Sequence, residues 1–146
     1  YLVAIASATR SLRLSMSYFV PDDVALATIV SAIERGVRVQ IILPGPHMDV
    51  DVVRRASRAS WGRLLEAGAE IHEFQPAMYH CKVMIVDERF VSVGSTNFDN
   101  RSLAVNDEAN LNVLDEAFAR RQVEIFEADL AQSRRITLDQ WRARPW

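Results

Sequence analysis

Residues 37–43, Val-Arg-Val-Gln-Ile-Ile-Leu, limit the fold more than any other segment. They hold few polar side chains, as strands buried on both faces of a parallel sheet do. A helix-period stretch precedes them, with Leu26, Ile29, Val30 and Ile33 at i, i+3, i+4 and i+7. Asp22 or Asp23 can cap that helix and Gly36 can end it. The alternation holds along the chain. Residues 1–9 read as helix and 12–18 as strand; 50–67 read as helix, closed by Gly68, and 69–74 as strand. Residues 109–114 read as strand, and Asp115 caps a last long helix with Ala119, Val123, Phe126 and Leu130 on one stripe. The expected fold class is α/β: a mixed, largely parallel β-sheet sandwiched between α-helices. No repeat or linker divides the 146 residues, so residues 1–146 are expected to form a single domain.

The residues that carry chemistry concentrate in one run. His80, Lys82, Asp87, Gly94, Ser95 and Asn97 form the pattern H-x-K-x4-D-x6-G-S-x-N. Residues 79–86 read as a strand, where side chains two apart share a face. His80 and Lys82 then project together, while Tyr79, Cys81, Val83 and Ile85 face the core. Asp87-Glu88-Arg89 reads as a tight turn, and 90–93 as the second strand of a hairpin. That hairpin returns Gly94, Ser95 and Asn97 beside His80 and Lys82. Gly94, lacking a Cβ, would let backbone approach a ligand closely.

This set suits phosphoryl transfer. A phosphodiester is anionic and repels nucleophiles. Lys82 supplies a compact positive charge, and Ser95 and Asn97 supply neutral donors for the non-bridging oxygens. A histidine such as His80 can attack phosphorus as imidazole or protonate a leaving oxygen as imidazolium. Glu108, at the start of the next apolar run, can orient that histidine or stand solvated on its strand. Asp87 can serve the site, shape the turn or hold a neighbouring strand. His72 alternates with apolar residues and reads as an exposed strand position. His47 lies in a Pro-Gly-Pro-His loop and reads as surface. Arg54, Arg55, Arg58 and Arg63 cluster on one helix, as a solvated face or as a surface for anionic head groups or nucleic acid.

The run resembles the HKD motif of the phospholipase D superfamily. The likeness narrows to the C-terminal half of bacterial cardiolipin synthases. Ser17-Tyr18-Phe19-Val20-Pro21 resembles the P-Y-F-x-P segment, with Ser17 in place of proline. Arg35-Gly36-Val37-Arg38-Val39, then Ile41-Ile42-Leu43-Pro44, resembles R-G-V-x-V-x-I-L-P. Leu64-Leu65-Glu66-Ala67-Gly68 followed by Ile71 resembles L-L-x-A-G-x-x-I. Asn97, Asp99, Arg101, Ser102, Asn106 and Glu108 resemble the N-x-D-x-R-S-x3-N-x-E run after the motif.

The resemblance implies a phospholipase D-like fold, of which this chain is one HKD half. It implies phosphatidyl transfer or phosphodiester hydrolysis through a phosphohistidine. His80, Lys82, Asp87 and Glu108 would be catalytic, and Lys82, Ser95 and Asn97 phosphate-binding. It implies no cofactor and no metal, an anionic phospholipid substrate, and a second HKD motif from a missing N-terminal half or a homodimer mate. For the full-length protein it implies the cytoplasmic side of the bacterial inner membrane. Residue 1 is Tyr, and both ends read as cut from a longer two-motif chain. A single cysteine excludes an internal disulfide and fits a reducing compartment. Three scattered histidines give no zinc spacing. No apolar run approaches the roughly 18 residues of a membrane helix. Two alternatives stay open: a homodimeric single-motif nuclease, against which a net charge of −2 argues, and a non-catalytic half that needs its partner domain.

Overall fold

Asp22 sets the first long helix by accepting the Ala25 backbone N–H at 2.8 Å. In the computed structural model, which describes residues 1–47, 51–99 and 107–144, that helix is α2 (Asp23–Glu34), after the short α1 (Leu2–Ser7). Gly36, at φ 91°, breaks α2 where a Cβ would be strained. The chain order is α1, β1 (Ser11–Met16), β2 (Phe19–Val20), α2, β3 (Arg38–Pro44), α3 (Asp51–Ala67), β4 (Glu70–Phe74), β5 (Lys82–Val86), β6 (Phe90–Gly94), β7 (Phe98–Asp99), β8 (Asn110–Leu114), α4 (Glu116–Ala131), β9 (Ser133–Ile136) and α5 (Leu138–Arg142). Val50, expected to open α3, and Asn100, Arg101, Ser102 and Asn106 lie outside the described residues.

Seven strands form one mixed sheet in the order β8-β6-β5-β1-β3-β4-β9. Parallel pairing is confined to β1–β3 and β3–β4; the other neighbours pair antiparallel. One face packs on α1, α2 and α3 through Leu12, Leu14, Met16, Ile41, Leu43, Ile71 and Met84. The other packs on α4 through Ile42, Ile85 and Val91 against Ala119 and Phe126, which lie on the expected stripe. The layered α/β class is therefore the one the alternating pattern indicates. β9 and α5 had no sequence expectation.

β9 overturns one expectation. By pairing with β4 it makes that strand internal, and His72, opposite Arg135, becomes buried at 8% exposure. Neither His72 ring nitrogen has a hydrogen-bond partner. Burial pushes its pKa below the ordinary histidine value, against the pull of Glu70. The arginine cluster on α3 is a solvated face only at Arg55 and Arg63, which are exposed. Arg54 and Arg58 turn inward to the fully buried Glu73, at 3.4 and 2.5 Å, and Arg63 pairs with Asp23 at 3.2 Å. His47 is exposed in its loop, as expected.

Candidate active site

The sheet brings four chain segments to one edge. Lys82 opens β5 opposite Met16, which ends β1. Gly94 ends β6 opposite Asn110, which opens β8. His80, Lys82, the Ser95–Asn97 loop and Glu108 therefore emerge together at the ends of these adjoining strands. The expected strand over 79–86 begins only at Lys82, so His80 and Cys81 lie in its irregular approach. The pairing of side chains survives that shortening. Lys82 Nζ lies 3.1 Å from His80 Nδ1 and 3.4 Å from Nε2, and donates to the His80 carbonyl at 3.2 Å.

His80 is exposed, while Lys82 is only 8% exposed. Burial lowers the pKa of the Lys82 ammonium, and the Cys81 and Glu108 charges pull it back up. Glu108, half-buried, also acts on the Tyr1 phenol, whose pKa is raised first by burial. A cation, an imidazole and a carboxylate thus share this edge. On the other face of the β5 approach, Tyr79 donates to Asp129 Oδ2 at 3.0 Å and contacts Ser15 Oγ at 3.0 Å. Burial raises the pKa of the half-buried Cys81 thiol, and Asp129 adds to that. The thiol therefore packs as core rather than serving the site.

The phosphate-binder candidates are held by their neighbours. Asn97 Oδ1 accepts the Tyr18 N–H at 3.2 Å, beside the parallel β2–β7 pair that matches Phe19 to Phe98. Ser95 Oγ accepts the Ala109 N–H at 3.0 Å, which ties the loop to the residue after Glu108. Gly94 departs from its expected role. A Cβ there would stand 2.1 Å from the Ala109 carbonyl oxygen and 2.3 Å from Asn110 Oδ1. Its close approach is to β8, not to a ligand.

Asp87 does not join this group. It lies at the opposite end of β5, about 17 Å from Lys82 at strand rise. Its carboxylate accepts backbone N–H groups of Thr9, Arg10 and Ser11 at 2.9, 2.7 and 2.9 Å, and the Thr9 hydroxyl at 2.8 Å. Burial would raise its pKa; these donors hold it below the ordinary carboxylate value. Asp87 and Glu88 both take positive φ, 53° and 57°, the geometry of a type I′ hairpin turn. Of the readings open for Asp87, shaping the turn and holding the neighbouring strand are the ones these bonds carry out.

Sequence reasoning missed Asn110 and Tyr1. Asn110 Nδ2 donates to Tyr1 Oη at 2.9 Å and Ser92 Oγ at 3.1 Å, and its Oδ1 accepts Thr96 N–H at 3.2 Å. Tyr1 donates to the Thr96 carbonyl at 2.9 Å and stacks on Phe98 at 5.4 Å. This network fixes the Ser95–Asn97 loop from below. The available signal was an amide opening a strand next to a glycine that ends another.

A family profile described as "Cardiolipin synthase, PLD-like domain" matches residues 1–130. The chain belongs to this PLD-like domain family. Cardiolipin synthase A of Proteus mirabilis (strain HI4320) is 40% identical over 146 residues, 99% of this chain and 30% of that protein. The minor cardiolipin synthase ClsB of Bacillus subtilis (strain 168) is 33% identical, over 99% of this chain and 36% of that protein. This PLD-like domain therefore spans about a third of the length of those relatives. Among solved structures, Nuc of Salmonella typhimurium, a phospholipase D family member, superposes with a TM-score of 0.81 at 28% identity, covering 93% of this chain and 88% of that one. Phosphatidylserine synthase of Haemophilus influenzae Rd KW20, at 17% identity and a TM-score of 0.77, covering 92% of this chain and 35% of that one, shares the fold. Among the described residues, no group of three or more His, Cys, Asp or Glu could hold a metal ion, and no helix is long and apolar enough to cross a membrane.

Proposed function

We propose that this chain supplies one histidine–lysine half of a phosphatidyl-transfer site that makes cardiolipin from phosphatidylglycerol. The observation that carries the reading is the meeting of His80 and Lys82 within 3.1 Å at the edge that also bears Glu108, in a member of this family. Lys82 holds the non-bridging phosphate oxygens, with Ser95 and Asn97 on the loop beside it. An imidazole of the second half attacks phosphorus. A P–N bond forms, the P–O bond to glycerol breaks, and His80 gives its proton to the departing alkoxide. The hydroxyl of a second phosphatidylglycerol then attacks. The P–N bond breaks, and His80 takes that hydroxyl's proton. Two histidines are needed because attack and departure lie on opposite sides of phosphorus.

On this reading the residues form one HKD half, and the partner is a second half elsewhere in the protein. The substrate is an anionic phospholipid at the cytoplasmic face of the inner membrane. A second reading, hydrolysis by two copies of the chain, is favoured by the 88% coverage of Nuc. The test is a labelled phosphatidylglycerol assay on the full-length protein. The first reading expects cardiolipin and glycerol, both lost in His80→Ala. Phosphodiester hydrolysis without lipid transfer would sink it.

A further inference from the structure

Four strands from Lys82, on the same face and row of the sheet, stands a second cationic cluster. The row runs Lys82–Met16, then Leu43–Glu73, then Glu73–Arg134, with Met16 and Leu43 one step past the Ser15–Ile42 pair. At about 4.8 Å per strand, Arg134 lies about 19 Å across the sheet from Lys82. Glu73 is fully buried and meets Arg54, Arg58 and Arg134 at 3.4, 2.5 and 2.8 Å. Burial would raise its pKa; the hydrogen bonds from Arg58 and Arg134 keep it below the ordinary value. One carboxylate cancels one of these three guanidinium charges. The Nε donors of Arg54 and Arg58 are buried with no hydrogen-bond partner. Internal neutralisation of Glu73 would need fewer arginines.

A cavity of about 210 Å³ opens beside this surplus, lined by Arg58, Trp61, Arg134, Gln140, Trp141 and Arg144 among others. That is well above the roughly 10–15 Å³ that a single water needs on this measure. The walls are built for it. Gly62 has no Cβ where the Trp141 ring lies: one would stand 2.4 Å from Trp141 Cη2. The Trp141 indole N–H donates to the Arg58 carbonyl at 2.7 Å, and the Trp61 indole N–H to Ser57 Oγ at 3.1 Å. Arg144 stacks on Trp141 with its guanidinium 3.7 Å from the ring centroid. Burial and the charge of Arg58 both depress Arg144. Guanidinium forks around a small, indole-walled cavity suit a phosphate group better than any neutral ligand.

We infer that the Arg58–Arg134–Arg144 cavity binds a phosphate-bearing anion, as a site separate from the His80–Lys82 centre. The phosphate can be a phospholipid head group or a free phosphate; the chemistry of recognition is the same. The cavity does not depend on the histidine chemistry and stands or falls apart from it.

The test reads the Trp61 and Trp141 indole N–H resonances of the 146-residue chain during titration with inorganic phosphate. Sedimentation with vesicles of phosphatidylcholine alone, or with one-third phosphatidylglycerol, runs in parallel. A saturable shift of both indole signals is expected. It should be about tenfold weaker in Arg144→Gln, the loss expected for one charge-assisted contact, and unchanged in His80→Ala. Arg134→Gln repeats the test from the other wall, with its melting curve as a check on folding. Vesicle binding that needs phosphatidylglycerol and falls in Arg144→Gln assigns the head group as source; vesicle binding indifferent to Arg144 assigns free phosphate. No saturable shift with phosphate together with no Arg144-dependent vesicle binding overturns the site. Loss of the shift in His80→Ala overturns it too, by returning the anion to the catalytic edge.

Discussion

At the scale of single residues, Lys82 and Asp87 show how one motif divides its labour. Lys82 is buried beside an exposed imidazole, and on the proposed function its charge meets the phosphate. His80→Ala and Lys82→Ala in the full-length protein should each lower turnover by about 10²–10⁴-fold, with the melting temperature unchanged. Near-normal turnover in either would remove its assigned role. Asp87 sits away from that point and ties Thr9, Arg10 and Ser11 to the hairpin turn. Asp87→Ala should cost about 1–3 kcal/mol of stability, because three backbone donors lose their acceptor. Denaturant melts would show it, and activity per folded molecule should persist. His72 gives a pH signature. Its folded pKa is depressed, so its contribution is complete above the unfolded value of about 6.5 and is lost as pH falls through the folded pKa. His72→Phe should flatten stability between about pH 7 and 5; an unchanged pH slope would mean that His72 is not buried neutral. The motif spacing made His80 and Lys82 legible. Asp87's partners, 76 to 78 residues away in sequence, left no local mark.

At the scale of elements, the hairpin β5–β6 and the loop after it set the site. Alternating apolar residues and a polar turn made the hairpin readable, although β5 starts three residues later than the pattern suggests. The start slipped because His80 and Cys81 leave the ladder to reach the edge. The role of Gly94 was not readable, since what it approaches is a strand sixteen positions on. Gly94→Ala should drive a methyl group into the Ala109 carbonyl and Asn110. The expected cost is about 1–3 kcal/mol, with looser anchoring of Ser95–Asn97. Equal melting temperatures for Gly94→Ala and the parent would refute that packing. The α3 arginines misled for a related reason. Helical spacing places them together, and only the tertiary position of Glu73 shows that two of them turn inward.

At the scale of the whole molecule, the parallel β1–β3–β4 core was the most legible part. β3 is a nearly continuous apolar run, and the helix before it is capped by Asp22. β9 and α5 were illegible because β9 is short and rich in arginine, with Ile136, opposite Ile71, as its one buried apolar residue. On the proposed function the site edge is half of a two-histidine arrangement, in a chain that spans about a third of its relatives. The most direct test of that claim is phosphatidylglycerol turnover by the purified chain across a concentration range, with and without a separately expressed amino-terminal half. The account predicts almost no turnover alone at any concentration, and activity restored by the added half. Activity rising with the square of concentration would shift the account to two copies of this chain. Robust turnover by a demonstrated monomer would contradict it.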